Sequence, residues 1–118
     1  MNAAGSGPSL PLFIYGSLRD PAVRARLLGR RTDLTTGPAI LHGHVRQRVP
    51  DFDYPFVLPA APAAQVEGEL LLGLSEADYA LLDVYEDVED GLYRRAVVTV
   101  ETPRGTLDAW VYLKGPGR

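Results

Sequence analysis

Hydrophobic and polar positions change rhythm along this chain, and each rhythm predicts an element. Pro11 to Tyr15 (PLFIY) are continuously apolar, the pattern of a strand covered on both faces. Asp20-Pro21 then supplies an N-cap followed by proline at the first helical position, and Gly29 supplies a stop. The helix between them carries Ala22, Val23, Ala25, Leu27 and Leu28, with Arg24 and Arg26 on its polar face. Residues 35–49 read as extended chain, alternating from His42 onward. The proline- and aromatic-rich segment PDFDYPFVLPAAP predicts a loop with one short strand at most. Alternation returns as a strand from Val66 to Leu72, and Ser75 with Asp78 forms a weak capping box that opens a second helix. YRRAVVTVET and LDAWVYL predict two strands joined by a hairpin turn at Pro103-Arg104-Gly105.

The predicted order is strand, helix, two or three strands, helix, two strands. This is not the strict alternation of a doubly wound sheet, so the expected class is α+β, a small β sheet or barrel with two helices. With 118 residues, one domain is expected over residues 10–114, with a flexible tail at residues 1–9 and a loose tail at residues 115–118.

Composition removes several function classes. A net charge of −3 gives no reason to expect a nucleic-acid partner. Eleven of the twelve basic residues are arginines scattered along the chain, and Arg46 and Arg48 alternate on a predicted strand as a solvated face. The absence of cysteine excludes a disulfide framework, a thiol nucleophile and a thiolate metal site. The first residues lack the basic and apolar regions of a signal peptide. No apolar run approaches the ~20 residues needed to cross a bilayer, so a cytoplasmic protein with no membrane partner is expected.

Candidate chemistry lies in three places. At about 3.6 residues per turn, Leu81, Leu82 and Tyr85 of the second helix share an apolar face. Glu86 falls at the edge of that face, while Asp83 and Asp87 project to the opposite, solvated side. A carboxylate beside an apolar stripe has its pKa raised and becomes a useful general base. Glu89 falls near the same face if the helix continues, so periodicity leaves both acids open. His42 and His44 at i and i+2 point to one side of a strand, but spacing marks no third ligand, and no metal is expected. Ser17 in YGSLR lacks the second glycine of a nucleophile elbow. The Gly16-Ser17 turn instead suits backbone N–H groups that receive a carboxylate or an oxyanion.

Taken in order, LFIYGSL, DYPFVLP, VEGELLLGL, LLDVYED, LYRRAVVTV and AWVYL resemble the γ-glutamylcyclotransferase-like family, which includes γ-glutamylamine cyclotransferase. The resemblance covers residues 11–113, and the segment at Leu18 is similar to the shorter branch of the family. It implies a small mixed β-barrel with two flanking helices. It also implies a cavity in which Tyr15, Gly16, Ser17 and Leu18 supply backbone donors and one glutamate acts as acid and base. The family spacing of Leu-Asp, two residues and Glu matches Leu82-Asp83-Val84-Tyr85-Glu86, which selects Glu86 over Glu89 as catalytic. Tyr54 of Tyr54-Pro55 and Tyr93 of the Tyr-x-Arg segment ending in Arg95 are the further substrate-binding residues so implied.

The implied reaction releases 5-oxoproline and a free amine from a γ-glutamyl amide by intramolecular aminolysis, with no metal or organic cofactor. The alternatives are removal of a γ-glutamyl group from a specialised metabolite, or a non-catalytic small-molecule-binding module on the same fold. One departure stands out: the glycine after the family's glutamate is Asp87 here, followed by Val88-Glu89-Asp90 before Gly91. Either the helix ends later or a further acid crowds the pocket mouth.

Overall fold

The computed structural model describes residues 10–48 and 55–116. Strand β1 (Leu12–Ile14) leads through a short 3-10 turn (Ser17–Arg19) into helix α1 (Pro21–Leu28). Four strands follow: β2 (Thr35–His42), β3 (His44–Arg48), β4 (Pro55–Pro59) and β5 (Gln65–Leu72). Helix α2 (Glu76–Tyr85) precedes the closing hairpin of β6 (Tyr93–Thr102) and β7 (Gly105–Lys114). The middle segment thus has four strands where the sequence predicts two or three. The extra strand arises at Gly43, whose φ of 73° breaks the expected continuous strand at residues 35–49 into β2 and β3.

Five strands close into a barrel in the order β1-β5-β2-β6-β7, while β3 and β4 form a separate two-stranded sheet. All barrel pairings are antiparallel except that of β1 with β7, which makes the barrel mixed. The α+β class with a small mixed barrel and two flanking helices is therefore the observed architecture.

Two apolar cores explain the reading of β1. Phe13 and Tyr15 point into the barrel, where they pack with Leu41, Val66, Leu70, Val100, Val111 and Leu113. Leu12 and Ile14 point outward into a second core with Leu71, Tyr79, Leu82, Tyr93 and Tyr112, beneath the helices. A strand with both faces covered has no place for a polar residue, hence the unbroken run LFI.

Helix starts follow the sequence signals. Asp20 accepts from the Ala22 N–H at 2.9 Å, with Pro21 following it. Ser75 and Asp78 form a complete capping box, with Asp78 also held at 2.6 Å by Arg31. At the other end, Gly115 is buried and donates to the Leu92 carbonyl at 2.9 Å, so the C-terminal tail expected at residues 115–118 is tied down at its first residue. Residues 117–118 and the predicted tail at residues 1–9 lie outside the described residues.

Gly68 is needed for barrel closure. A Cβ there would stand 2.5 Å from the Ile14 carbonyl oxygen and 2.7 Å from the Phe13 ring, whereas one at Gly37 would meet open space. Gly68→Ala is expected to cost about 1–3 kcal/mol through overpacking, read as a lower thermal midpoint. Gly37→Ala should stay within about 0.5 kcal/mol of the starting protein.

Candidate active site

The C-terminal end of β1, the end of α2 and the first residues of β4 and β6 converge on a cavity of about 380 Å³. Tyr15, Gly16, Ser17, Leu18, Tyr93 and Glu86 all line it. Tyr54 lies outside the described residues, although its neighbour Pro55 forms part of the wall.

The loop is built by its buried ends. Tyr15 is buried and its hydroxyl donates to the Tyr112 carbonyl at 2.5 Å; Leu18 is buried in the second core. Burial, then the nearby Tyr93 and Glu86, push the Tyr15 phenol well above its ordinary pKa, so it stays protonated. Between these anchors the chain makes a 3-10 turn, with the Arg19 N–H on the Gly16 carbonyl and the Asp20 N–H on that of Ser17, each at 3.0 Å. The N–H groups of Ser17 and Leu18 open this turn and have no intrahelical acceptor. They belong to the short turn inside the loop, ahead of α1. A Cβ at Gly16 would sit 3.6 Å from Pro55 Cγ, an ordinary contact, so a methyl group would narrow the cavity here without a clash.

Glu86 caps the C-terminus of α2. Among the described residues, none donates a hydrogen bond to its carboxylate, and desolvation raises its pKa from 4.5 to about 7. The chain turns sharply just after it. The Val88 N–H bonds the Asp83 carbonyl and the Asp87 N–H bonds the Val84 carbonyl, both at 3.0 Å. That is a Schellman ending, and it puts Asp87 at φ 57°, the left-handed conformation that favours glycine. The departure from the family glycine is thus resolved. The helix does not run on, and an aspartate takes the left-handed turn. Glu89 follows the stop and is exposed.

The wheel reading of α2 needs two corrections. Leu81 and Tyr85 are 52% and 41% exposed, and the buried side is formed by Asp78, Tyr79 and Leu82. Asp83 is half-buried and paired: it accepts from the Tyr112 hydroxyl at 2.7 Å and from Arg95 Nε at 3.0 Å. Arg95, rising from β6, lies over the rings of Tyr79 and Trp110, 4.6 and 4.3 Å from their centroids. Its cation draws to the barrel an acid that periodicity assigns to water.

Tyr93 forms a wall: its hydroxyl donates to the Pro55 carbonyl at 2.7 Å and its ring lies 4.8 Å from that of Phe56. Tyr85, Leu92 and Tyr112 also line the cavity and escaped the sequence reading as site residues. Tyr112 had a signal, since it alternates with Val111 and Leu113 and so must leave the barrel interior. His42 and His44 are separated by the Gly43 turn and lie in different sheets, not on one strand side. His42 pairs with Glu101 at 2.6 Å, and His44 Nδ1 bonds the His42 carbonyl at 2.9 Å. Among the described residues, no three His, Asp or Glu side chains converge as a metal site.

Residues 12–118 match the family model described as "Gamma-glutamyl cyclotransferase, AIG2-like". The chain belongs to this family. A relative from Arabidopsis thaliana, Protein AIG2 C, is 38% identical over 93 residues, covering 79% of this chain and 52% of the relative. A second, AIG2-like protein C from the same plant, is 39% identical over 89 residues, covering 75% and 48%. The chain thus spans about half the length of these AIG2 relatives. An Arabidopsis thaliana protein solved in solution superposes with a TM-score of 0.77 at 25% identity, covering 94% of this chain and 72% of that one. A solved gamma-glutamyl cyclotransferase shares the fold, with a TM-score of 0.67 at 20% identity over 89% of this chain and 66% of its own. Membership supports a cyclotransferase-like role. Among the described residues, no helix is long and apolar enough to cross a membrane.

Two expectations follow for a cyclotransferase-like site with this geometry. Asp87→Gly and Asp87→Ala both remove the carboxylate, so their difference isolates the backbone. The glycine variant should be the more stable by about 1 kcal/mol, measured by denaturant unfolding. The raised pKa of Glu86 also has a stability consequence. The neutral form contributes stability that is fully present below pH 4.5 and is lost as the pH rises through about 7. Glu86→Gln should therefore melt higher than the parent protein above pH 8 and converge with it below pH 4.5, in melting curves taken across that range.

Proposed function

We propose that the protein is a γ-glutamyl cyclotransferase that converts a γ-glutamyl amide into 5-oxoproline and a free amine. The observation that carries this reading is Glu86, a carboxylate without a hydrogen-bond donor among the described residues, held near pKa 7 on a cavity that Ser17 and Leu18 of the turn also line.

In this reading the γ-glutamyl group lies between the loop and Glu86, with its γ-carbonyl and α-carboxylate near the Tyr15–Leu18 backbone. Ionised Glu86 removes a proton from the α-ammonium. The freed amine attacks its own γ-carbonyl, forming the ring C–N bond. The oxyanion that develops is met by backbone N–H groups that are already oriented. Protonated Glu86 gives its proton to the leaving nitrogen as collapse breaks the bond to it, and the ring nitrogen then loses its second proton, through the carboxylate so regenerated, to the freed amine. Nucleophile and electrophile belong to one molecule, so the walls formed by Tyr15, Leu18 and Tyr93 act chiefly by holding the substrate folded. A pKa near 7 serves both halves, since the group must take a proton and then release it. Neither a metal nor an organic cofactor has a part in these steps. Tyr54, next to the wall residue Pro55, is proposed as a further substrate contact on the resemblance described above.

Glu86→Gln keeps the shape and removes the base, so 5-oxoproline formation from a panel of γ-glutamyl amides should fall by about 10² or more while substrate binding survives. In the parent enzyme kcat/KM should rise with pH through about 7, as Glu86 ionises. A Gln variant with full activity, or a dead Glu89→Gln, would sink the assignment. Saturable binding with no 5-oxoproline from any amide would favour a binding module.

A further inference from the structure

The β3–β4 sheet carries a cation that none of the steps above uses. In its ladder Arg46 stands opposite Val57, and Arg48 stands opposite Pro55. Directly opposed residues of an antiparallel pair leave the sheet on the same face. Val57 is fully buried, in the barrel core that also holds Tyr15, and Pro55 is a wall of the cavity. Arg46 therefore leaves β3 on the face turned to Tyr15, a face that alternation alone assigns to water. Gln47, opposite Phe56, leaves on the other face.

The charge of Arg46 is felt at the cavity. Burial, Tyr93 and Glu86 raise the pKa of the Tyr15 phenol, and the Arg46 guanidinium opposes them. Glu86 itself is held by burial at about 7, a value that a guanidinium in contact with it would bring down. The two charges thus both act on Tyr15 without neutralising each other. Among the described residues, no carboxylate pairs with Arg46.

The γ-glutamyl end of the proposed substrate is a zwitterion. Glu86 serves the α-ammonium, but none of the residues that line the cavity is a cation. Backbone N–H groups bring dipoles to the α-carboxylate without a full charge. A carboxylate taken out of water beside Glu86 needs an opposite charge to hold it. A guanidinium offers a planar fork that matches a carboxylate, and the exposed Arg46 can turn it onto a bound ligand.

We infer that Arg46 is a specificity-determining residue that pairs with the α-carboxylate of the γ-glutamyl group while Glu86 serves the α-amine. This rests on the cyclotransferase reading above.

The test is kcat/KM for two substrates that differ in one charge: γ-glutamyl propylamide, and the same compound with its α-carboxylate converted to a carboxamide. Each closes to a five-membered lactam, 5-oxoproline from the first and 5-oxoprolinamide from the second. Arg46→Ala should lower kcat/KM for the carboxylate substrate by about tenfold or more, the scale of a charge-assisted hydrogen bond, and for the carboxamide by about twofold at most. Arg46→Lys keeps the charge without the fork and should recover part of the loss. Gln47→Ala, on the opposite face, should leave both values at those of the parent. Equal losses on both substrates, or no loss on either, overturn the inference and leave the cyclotransferase reading standing. If the parent protein yields no lactam from any γ-glutamyl amide, that reading falls, and the pairing is tested by calorimetric binding of the same two compounds. Binding of the carboxylate compound about tenfold tighter than the carboxamide, with the difference abolished by Arg46→Ala, supports the contact. Equal affinities, or a difference that survives Arg46→Ala, overturn it.

Discussion

The ion pair between Asp83 and Arg95 fixes the site more than any other single interaction. Arg95 has its guanidinium against both the Tyr79 and Trp110 rings, so its charge is held by aromatic faces as well as by the carboxylate. Asp83 accepts from Tyr112 on β7 at the same time, which joins helix, hairpin and barrel wall at one point. Glu86 lies three residues further along α2, so the angle at which the helix rests on the barrel decides what it faces. Removing one partner of such a group leaves the other charge partly desolvated, and this is why these arrangements act as positional constraints more than as sources of stability.

Around that point the structure keeps opposite electrostatic settings close together. Asp83 is surrounded by donors and Glu86 has none among the described residues, though both are carboxylates on one helix. Environment, not residue type, separates a structural acid from one poised to exchange a proton near neutrality. The Schellman ending reinforces the separation by turning the backbone immediately after Glu86, so that Glu89 is carried out to solvent.

Much of this was legible in the sequence, for identifiable reasons. Strand β1 was readable because burial on both faces forbids polar residues, and both helix starts because an N-cap must be a short polar side chain. Glu86 and the Tyr15–Leu18 loop were marked by family spacing, and they line one cavity. Harder to read were features that depend on a partner distant in sequence. The wheel sent Asp83 to water because Arg95 comes from another element, and it placed Leu81 and Tyr85 on the apolar face because periodicity cannot show where the barrel surface ends. Gly43 was missed for a local reason: a single left-handed residue splits a strand without disturbing its alternation.

The parallel pairing of β1 with β7 sets the order in which the site can come into being. Leu12 sits opposite Trp110 and Phe13 opposite Val111, so the strand that carries the loop is closed by residues almost a hundred positions later. A growing chain can form α1 and the β2–β5 ladder early, but a long loop must close before β1 is seated. Glu86 can emerge and its helix can form while the cavity it will face still has no floor. The proton chemistry proposed here is therefore a property of the completed barrel, absent from any partial fold of the chain.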